Sequence, residues 1–206
     1  SSISSSANAA GELKIGMKVS GYNLKITNDH NQSKTISIPI NSSAYYSAKK
    51  LNENLAGTGV VASAKTILAL GPLSKLGSGT FSFDLKGSNT DKVSITANVD
   101  SDDLSGLAKQ INQFTSQTNI KAVNTFDFDR VFLISDQGYD IEMTNIAAPS
   151  DISMAALNNE FEMLNERLHW IDISDENEKS AFVKGNIRFE SSLNFNSQID
   201  SGQIIS

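Results

Sequence analysis

The side chains that ordinarily carry chemistry are few in this chain and poorly grouped. His30 and His169 are its only histidines, and it has no cysteine. A structural or catalytic zinc needs three or four His, Cys or acidic ligands at defined spacing, so no metal site is expected. The lack of cysteine also excludes disulfides and thiol nucleophiles. His30 lies in a polar turn and reads as solvated, and His169, beside Trp170, reads as structural. No Gly-x-Ser-x-Gly elbow marks a nucleophilic serine, and no Ser-His-Asp set is signalled.

The remaining candidates each have an ordinary explanation. Asp100, Asp102 and Asp103 suggest calcium at first sight, but they lack the central Gly and closing Glu of an EF-hand loop. They precede an amphipathic stretch, where capping of a helix start accounts for them. Asp127, Asp129 and Arg130 alternate with Phe126 and Phe128, as on the charged outer face of a hairpin. Gly77-Ser78-Gly79 has no following Lys-Ser/Thr and is a linker, not a phosphate loop. Asn41-Ser42-Ser43 matches a glycosylation acceptor only formally. No catalytic residue, cofactor or metal ligand is therefore assigned.

Composition narrows the field further. The net charge is −6, and no basic patch is present to neutralise phosphates, so nucleic acid is excluded as a partner. No run approaches the apolar length that spans a bilayer, and an acidic surface is repelled by anionic lipid. Charged residues make up 19% and apolar residues 39%, leaving Ser, Asn, Thr and Gln to supply the polarity, a profile that suits β-rich extracellular proteins. The first ten residues lack the basic region and apolar core of a signal peptide. Both ends read as cut from a longer chain.

The elements that would position these residues repeat along the sequence. Ala48, Lys49, Asn52, Thr58 and Ala62 recur at the same spacing as Ala108, Lys109, Asn112, Thr118 and Ala122. Each unit opens with alternating strands around a polar turn. In the first, Tyr22, Leu24 and Ile26 are followed by Ile36, Ile38 and Ile40. In the second, Phe81, Phe83 and Leu85 are followed by Val93, Ile95, Ala97 and Val99. The period then becomes helical: Leu104, Leu107, Ala108, Ile111 and Phe114 share one helix face, and a further strand follows at 60–70 or 120–135. Laying the helix across the hairpin would bury both apolar faces, which a lone hairpin cannot do. The expected class is α+β, mostly β. A flexible segment (1–11) leads into two hairpin-helix-strand modules (12–76 and 77–148) and a β-rich C-terminal part (149–206). Within the last, Phe182, Val183, Ile187, Phe189, Leu193 and Phe195 read as strands. Residues 153–173 are ambiguous, because Leu157, Phe161, Leu164 and Leu168 have helical spacing.

The stretch 104–112, ending in Ile111-Asn112, resembles the "IN" motif of bacterial flagellins and flagellar hook-associated proteins. The motif's following segment has counterparts in Thr58-Gly59-Val60-Val61-Ala62 and Thr118-Asn119-Ile120-Lys121-Ala122. The first unit departs from the motif with Leu51-Asn52, and the second has Asn119 where Gly is usual. The strands at 138–143 and 185–195 are similar to others of the same family, and on that analogy 153–173 would be two strands joined near 158–160.

The resemblance implies a structural component of the flagellum: the surface-exposed variable domain of a filament subunit, extracellular and not an enzyme. It also implies that other flagellar subunits are met through flanking segments, so that the isolated fragment is monomeric. The alternatives are a hook-associated junction or cap protein, or an adhesin module contacting host or surface glycans. For the adhesin, the adjacent pair Tyr45 and Tyr46 offers the obvious aromatic surface.

Overall fold

A computed structural model describes residues 2–3, 7–9, 13–15, 22–28, 31–39, 41–164, 168–191 and 195–200. Their elements, in chain order, are β1 (Ser2–Ile3), β2 (Ala7–Ala9), β3 (Leu13–Ile15), β4 (Tyr22–Asn28), β5 (Ser33–Ile38), α1 (Ala44–Leu55), β6 (Val60–Leu73), β7 (Ser78–Lys86), β8 (Val93–Asp100), α2 (Ser105–Gln113), α3 (Thr115–Thr118), β9 (Lys121–Asn124), β10 (Val131–Ser135), β11 (Ile141–Ala147), β12 (Ile152–Leu157), β13 (His169–Ile171), β14 (Ala181–Val183), β15 (Asn186–Ser191) and β16 (Phe195–Asp200). The class is α+β and mostly β, as the alternating patterns require. His30, Ile40 and Leu193 lie outside the described residues.

The two predicted hairpins form where the period-two pattern puts them, and they belong to different sheets. β4 and β5 pair antiparallel, with β16 on the other edge of β4. β7 and β8 pair from Ser78↔Asp100 to Leu85↔Val93 within a sheet ordered β2-β3-β14-β11-β7-β8. Between them runs β6, the spine of the fold. Its first half pairs with β15 and its second half with both β10 and β12. The described parts of 1–11 are strand: β1 pairs with β15 and β2 with β3.

Packing follows the spine. Val60, Ala62 and Ala64 of β6 join Leu24, Ile26, Ile36, Ile38, Leu51, Leu55, Ile187 and Phe189 in one core. Leu68 and Leu70 join a larger one with Phe81, Phe83, Leu85, Leu107, Ile111, Leu133 and Met143. Helix α1 lies mainly over β6, the strand that follows it, more than over its own hairpin, while α2 packs on β8 and β9. α1 thus bridges forward along the chain, whereas α2 sits between its own hairpin and the strand that follows it.

One expectation is corrected and one ambiguity is resolved. The single strand anticipated at 120–135 is a hairpin, β9 and β10, with Asp127 and Asp129 in its turn instead of on a strand face. No described residue of 153–173 is helical, and the two-strand reading holds: β12 pairs with β13 through Ile152↔Ile171 and Met154↔His169. Every residue of β12 is buried, because its two faces meet two different apolar clusters. Such a strand shows no alternation, and the helical spacing of Leu157, Phe161 and Leu164 is a by-product. The connection from β12 is also longer than a tight turn at 158–160, folding back through a Leu157↔Met163 bridge.

Candidate functional site: an asparagine clamp between helix and strand

Ile111 is fully buried under α2, so its chain neighbour Asn112 emerges at the helix edge, facing the start of β9. Its carboxamide makes the two bonds that a neighbouring strand would make. Asn112 Nδ2 donates to Ala122 O at 2.9 Å, and Ala122 N donates to Asn112 Oδ1 at 2.8 Å. Asn52 does the same at the end of α1: Asn52 Nδ2 to Ala62 O at 2.8 Å, and Ala62 N to Asn52 Oδ1 at 2.7 Å. Leu51, which takes the place of Ile in the first unit, is as fully buried as Ile111.

The turn between helix and strand is built alike in both places. Thr118 Oγ1 donates to Phe114 O at 3.1 Å and accepts from Ile120 N at 3.1 Å. Thr58 Oγ1 donates to Leu55 O at 2.6 Å and accepts from Val60 N at 3.3 Å. The next residue is left-handed in each case, Gly59 at φ +79° and Asn119 at φ +56°. Asn tolerates that region better than other non-glycine residues, so the departure from Gly at 119 leaves the turn intact.

A second constellation joins the parts of the molecule. Lys184 Nζ, almost out of solvent, donates to Asn41 O at 3.1 Å and to Ser42 O at 3.4 Å, and lies 3.4 Å from Asp140 Oδ2. Burial pushes the Asp140 carboxyl up despite the attraction of Lys184. Beside it, the rings of Tyr45 and Tyr139 stack with centroids 4.2 Å apart, and Tyr45 N donates to Gly138 O at 2.9 Å. Nothing in the sequence pattern announced Lys184 and Asp140 as partners, because a charge at a strand end is ordinarily solvated.

The other residues singled out from sequence are dispersed. Ser43 caps α1 by accepting from Tyr46 N at 3.1 Å. The N-cap of α2 is Leu104, without a side-chain bond, and of the three aspartates only Asp103 reaches the helix, accepting from Ser105 N at 2.8 Å. The Ser105 hydroxyl, and then that backbone contact, hold the Asp103 carboxyl below its usual value. His169 is half-buried on β13. Tyr45 and Tyr46 diverge, the first into the stack and the second into solvent, so they form no joint platform. Among the described residues no group of three His, Asp or Glu side chains converges, and no helix is long and apolar enough to cross a membrane.

The geometry thus organises chain packing and not bond-making. No curated protein matches the chain. Residues 80–137 match the family described as the flagellin hook IN motif. That segment contains α2, β9, β10 and both partners of the Asn112 clamp, and it begins inside β7. Over residues 80–137 the chain thus carries the IN motif, whose family, the flagellins, is structural and not enzymatic.

Proposed function

We propose that the chain is the surface-exposed variable domain of a flagellin-type filament subunit, on the outside of the bacterial flagellum. The observation that carries this reading is the IN motif at 80–137, with its Asn112 clamp. On this reading the described residues of 12–76 make a second module of the same kind, clamped through Asn52 and joined to the first by β6. Two modules locked in series make a stiff projection whose role is shape and surface. Other flagellar subunits are met through segments flanking this one, and the isolated chain is a monomer at micromolar concentration. An acidic, cysteine-free exterior suits a protein assembled outside the cell.

Gold-labelled antibody against this chain, imaged on intact cells by electron microscopy, tests the assignment. Label along whole filaments supports it. Label restricted to the filament base or tip replaces it with a hook-associated junction or cap protein. Label on the cell body alone overturns the flagellar reading in favour of an adhesin.

A further inference from the structure

The β9–β10 turn holds an aromatic ring out in water. Phe126 is 95% exposed, and Phe128, 49% exposed, adopts φ +60°, a conformation that bulky side chains rarely take. The turn is braced. Thr125 N donates to Arg130 O at 3.1 Å, Phe128 N to Thr125 O at 3.1 Å, and Leu104 N to Phe128 O at 2.8 Å. Gly71 lies so close beneath that a side chain there would strike Asp129 O. A ring presented on a fixed support, with nothing among the described residues covering it, points to a partner. Asp127 beside it is exposed and Asp129 half-buried.

At the other end of the spine is an opening of matching character. A cavity of about 300 Å³ is lined by Ile26, Leu55 and Val60, with Thr58, Ser33 and Lys34 at its polar side. The corresponding place in the second module is shut. There Gly87 backs against Thr118 O and the Ile120 side chain, Ser88 N donates to Thr118 O at 2.9 Å, and Asn119 Nδ2 donates to Ser88 Oγ at 2.7 Å. A volume at the low end of the small-ligand range, about 300–1,000 Å³, admits one aromatic ring.

Ring and cavity cannot meet within one chain. The cavity includes Val60 at the start of β6, whereas the turn extends beyond Leu70, the register partner of Val131. The two positions are roughly 33 Å apart at about 3.3 Å per residue. We infer that Phe126 of one copy seats in the Ile26–Leu55–Val60 cavity of a second copy, with Asp127 directed to Lys34. The contact is heterologous, so it lines copies up head to tail. It goes beyond the flagellar assignment and requires of it only that copies stand close together. One ring and one charge pair, set against the cost of association, give a dissociation constant on the order of 1 mM. Free copies at micromolar concentration therefore stay apart. Copies tethered to a common support, at millimolar effective concentration, engage.

Methyl NMR of the chain at increasing concentration, from about 0.05 to about 2 mM, tests this. Shifts are expected at the methyls of Ile26, Leu55 and Val60 and to vanish in Phe126→Ser, which alters a residue too exposed to unfold the domain. Labelled Phe126→Ser retains an intact cavity, so adding unlabelled wild type should restore its shifts. Lys34→Glu should weaken the association several-fold, and Asp127→Lys in the same chain should recover it. The inference is overturned by the absence of concentration dependence, by shifts that survive Phe126→Ser, or by shifts centred on other methyls. These outcomes are independent of where gold label falls on the cell, so either reading can fail alone.

Discussion

Asn112 and Ala122 exchange two hydrogen bonds, 2.9 and 2.8 Å long, through a carboxamide that takes the place of a strand residue. An amide side chain is the one neutral group that offers a donor and an acceptor at the spacing of a peptide unit. Aspartate lacks the donor and alanine lacks both, so the identity of this residue is set by geometry and not by solubility.

Replacing Asn112 with Ala is expected to cost about 1–2 kcal/mol, since two bonds at roughly 1 kcal/mol each are lost at a site that water reaches. Urea unfolding gives the loss. Hydrogen exchange should show faster exchange at the Ala122 amide. Asn52→Ala should act likewise on Ala62, and the two losses should add if the clamps are independent. An unchanged Ala122 exchange rate would remove the clamp's structural role.

The Lys184 contacts tie the start of α1 to β14 and the 138–140 turn. Lys184→Met leaves the Asp140 carboxyl buried without its counter-charge and two carbonyls without a donor, an arrangement expected to cost about 3–5 kcal/mol. Asp140→Asn removes the buried carboxylate and keeps an acceptor for Lys184, whose ammonium retains the carbonyls of Asn41 and Ser42, so it should cost less. Thermal unfolding of the two variants gives the order, and the reverse order would refute the account.

The acid–base behaviour separates two kinds of carboxylate. Asp103 and Asp172 are held below their usual values, chiefly by the hydroxyls of Ser105 and Ser174. Their stabilisation is present above the ordinary carboxylate pKa and is lost as pH falls through the lowered folded values. Both are exposed, so the effect should be small and should shrink further with salt. Asp140 is raised by burial. Its contribution is complete below the ordinary value of about 3.9 and declines as pH rises through the raised one. The stability difference between wild type and Asp140→Asn should therefore shift against wild type across that window. A constant difference would mean that Asp140 titrates normally.

Gly138 sits at φ +85°, and a side chain there would run into the Ala64 Cβ and crowd Tyr45 N. Gly138→Ala is expected to destabilise by about 1–3 kcal/mol, from backbone strain plus the loss of close approach between α1 and the turn. Near-ultraviolet circular dichroism should report loosening of the Tyr45–Tyr139 stack. Gly57→Ala is a control for the backbone term alone, since it too has positive φ but open space around it.

Much of this architecture was legible in the residues. The alternation of Leu24 with Ile26 and of Phe81, Phe83 and Leu85, and the helical spacing of Leu107, Ala108 and Ile111, all lie within single elements. There the burial period follows directly from backbone geometry, and these side chains are buried as the spacing requires. The spacing of Asn52 and Asn112 to later Thr and Ala residues likewise marked the turns, because helix end, turn and strand are contiguous in the chain. What the sequence could not decide depends on groups distant along it. β12 is buried on both faces and so carries no period; the family analogy pointed to strand there, and the two clusters that sandwich it give the physical reason. Lys184 meets Asn41, Ser42 and Asp140 because the β14 end returns beside the start of α1, and no local pattern encodes that return. Phe126 read as half of a strand's alternation, yet the turn that begins after Asn124 turns its ring into water. Short-range patterns specify the elements, whereas which faces remain uncovered is a property of the assembled sheets.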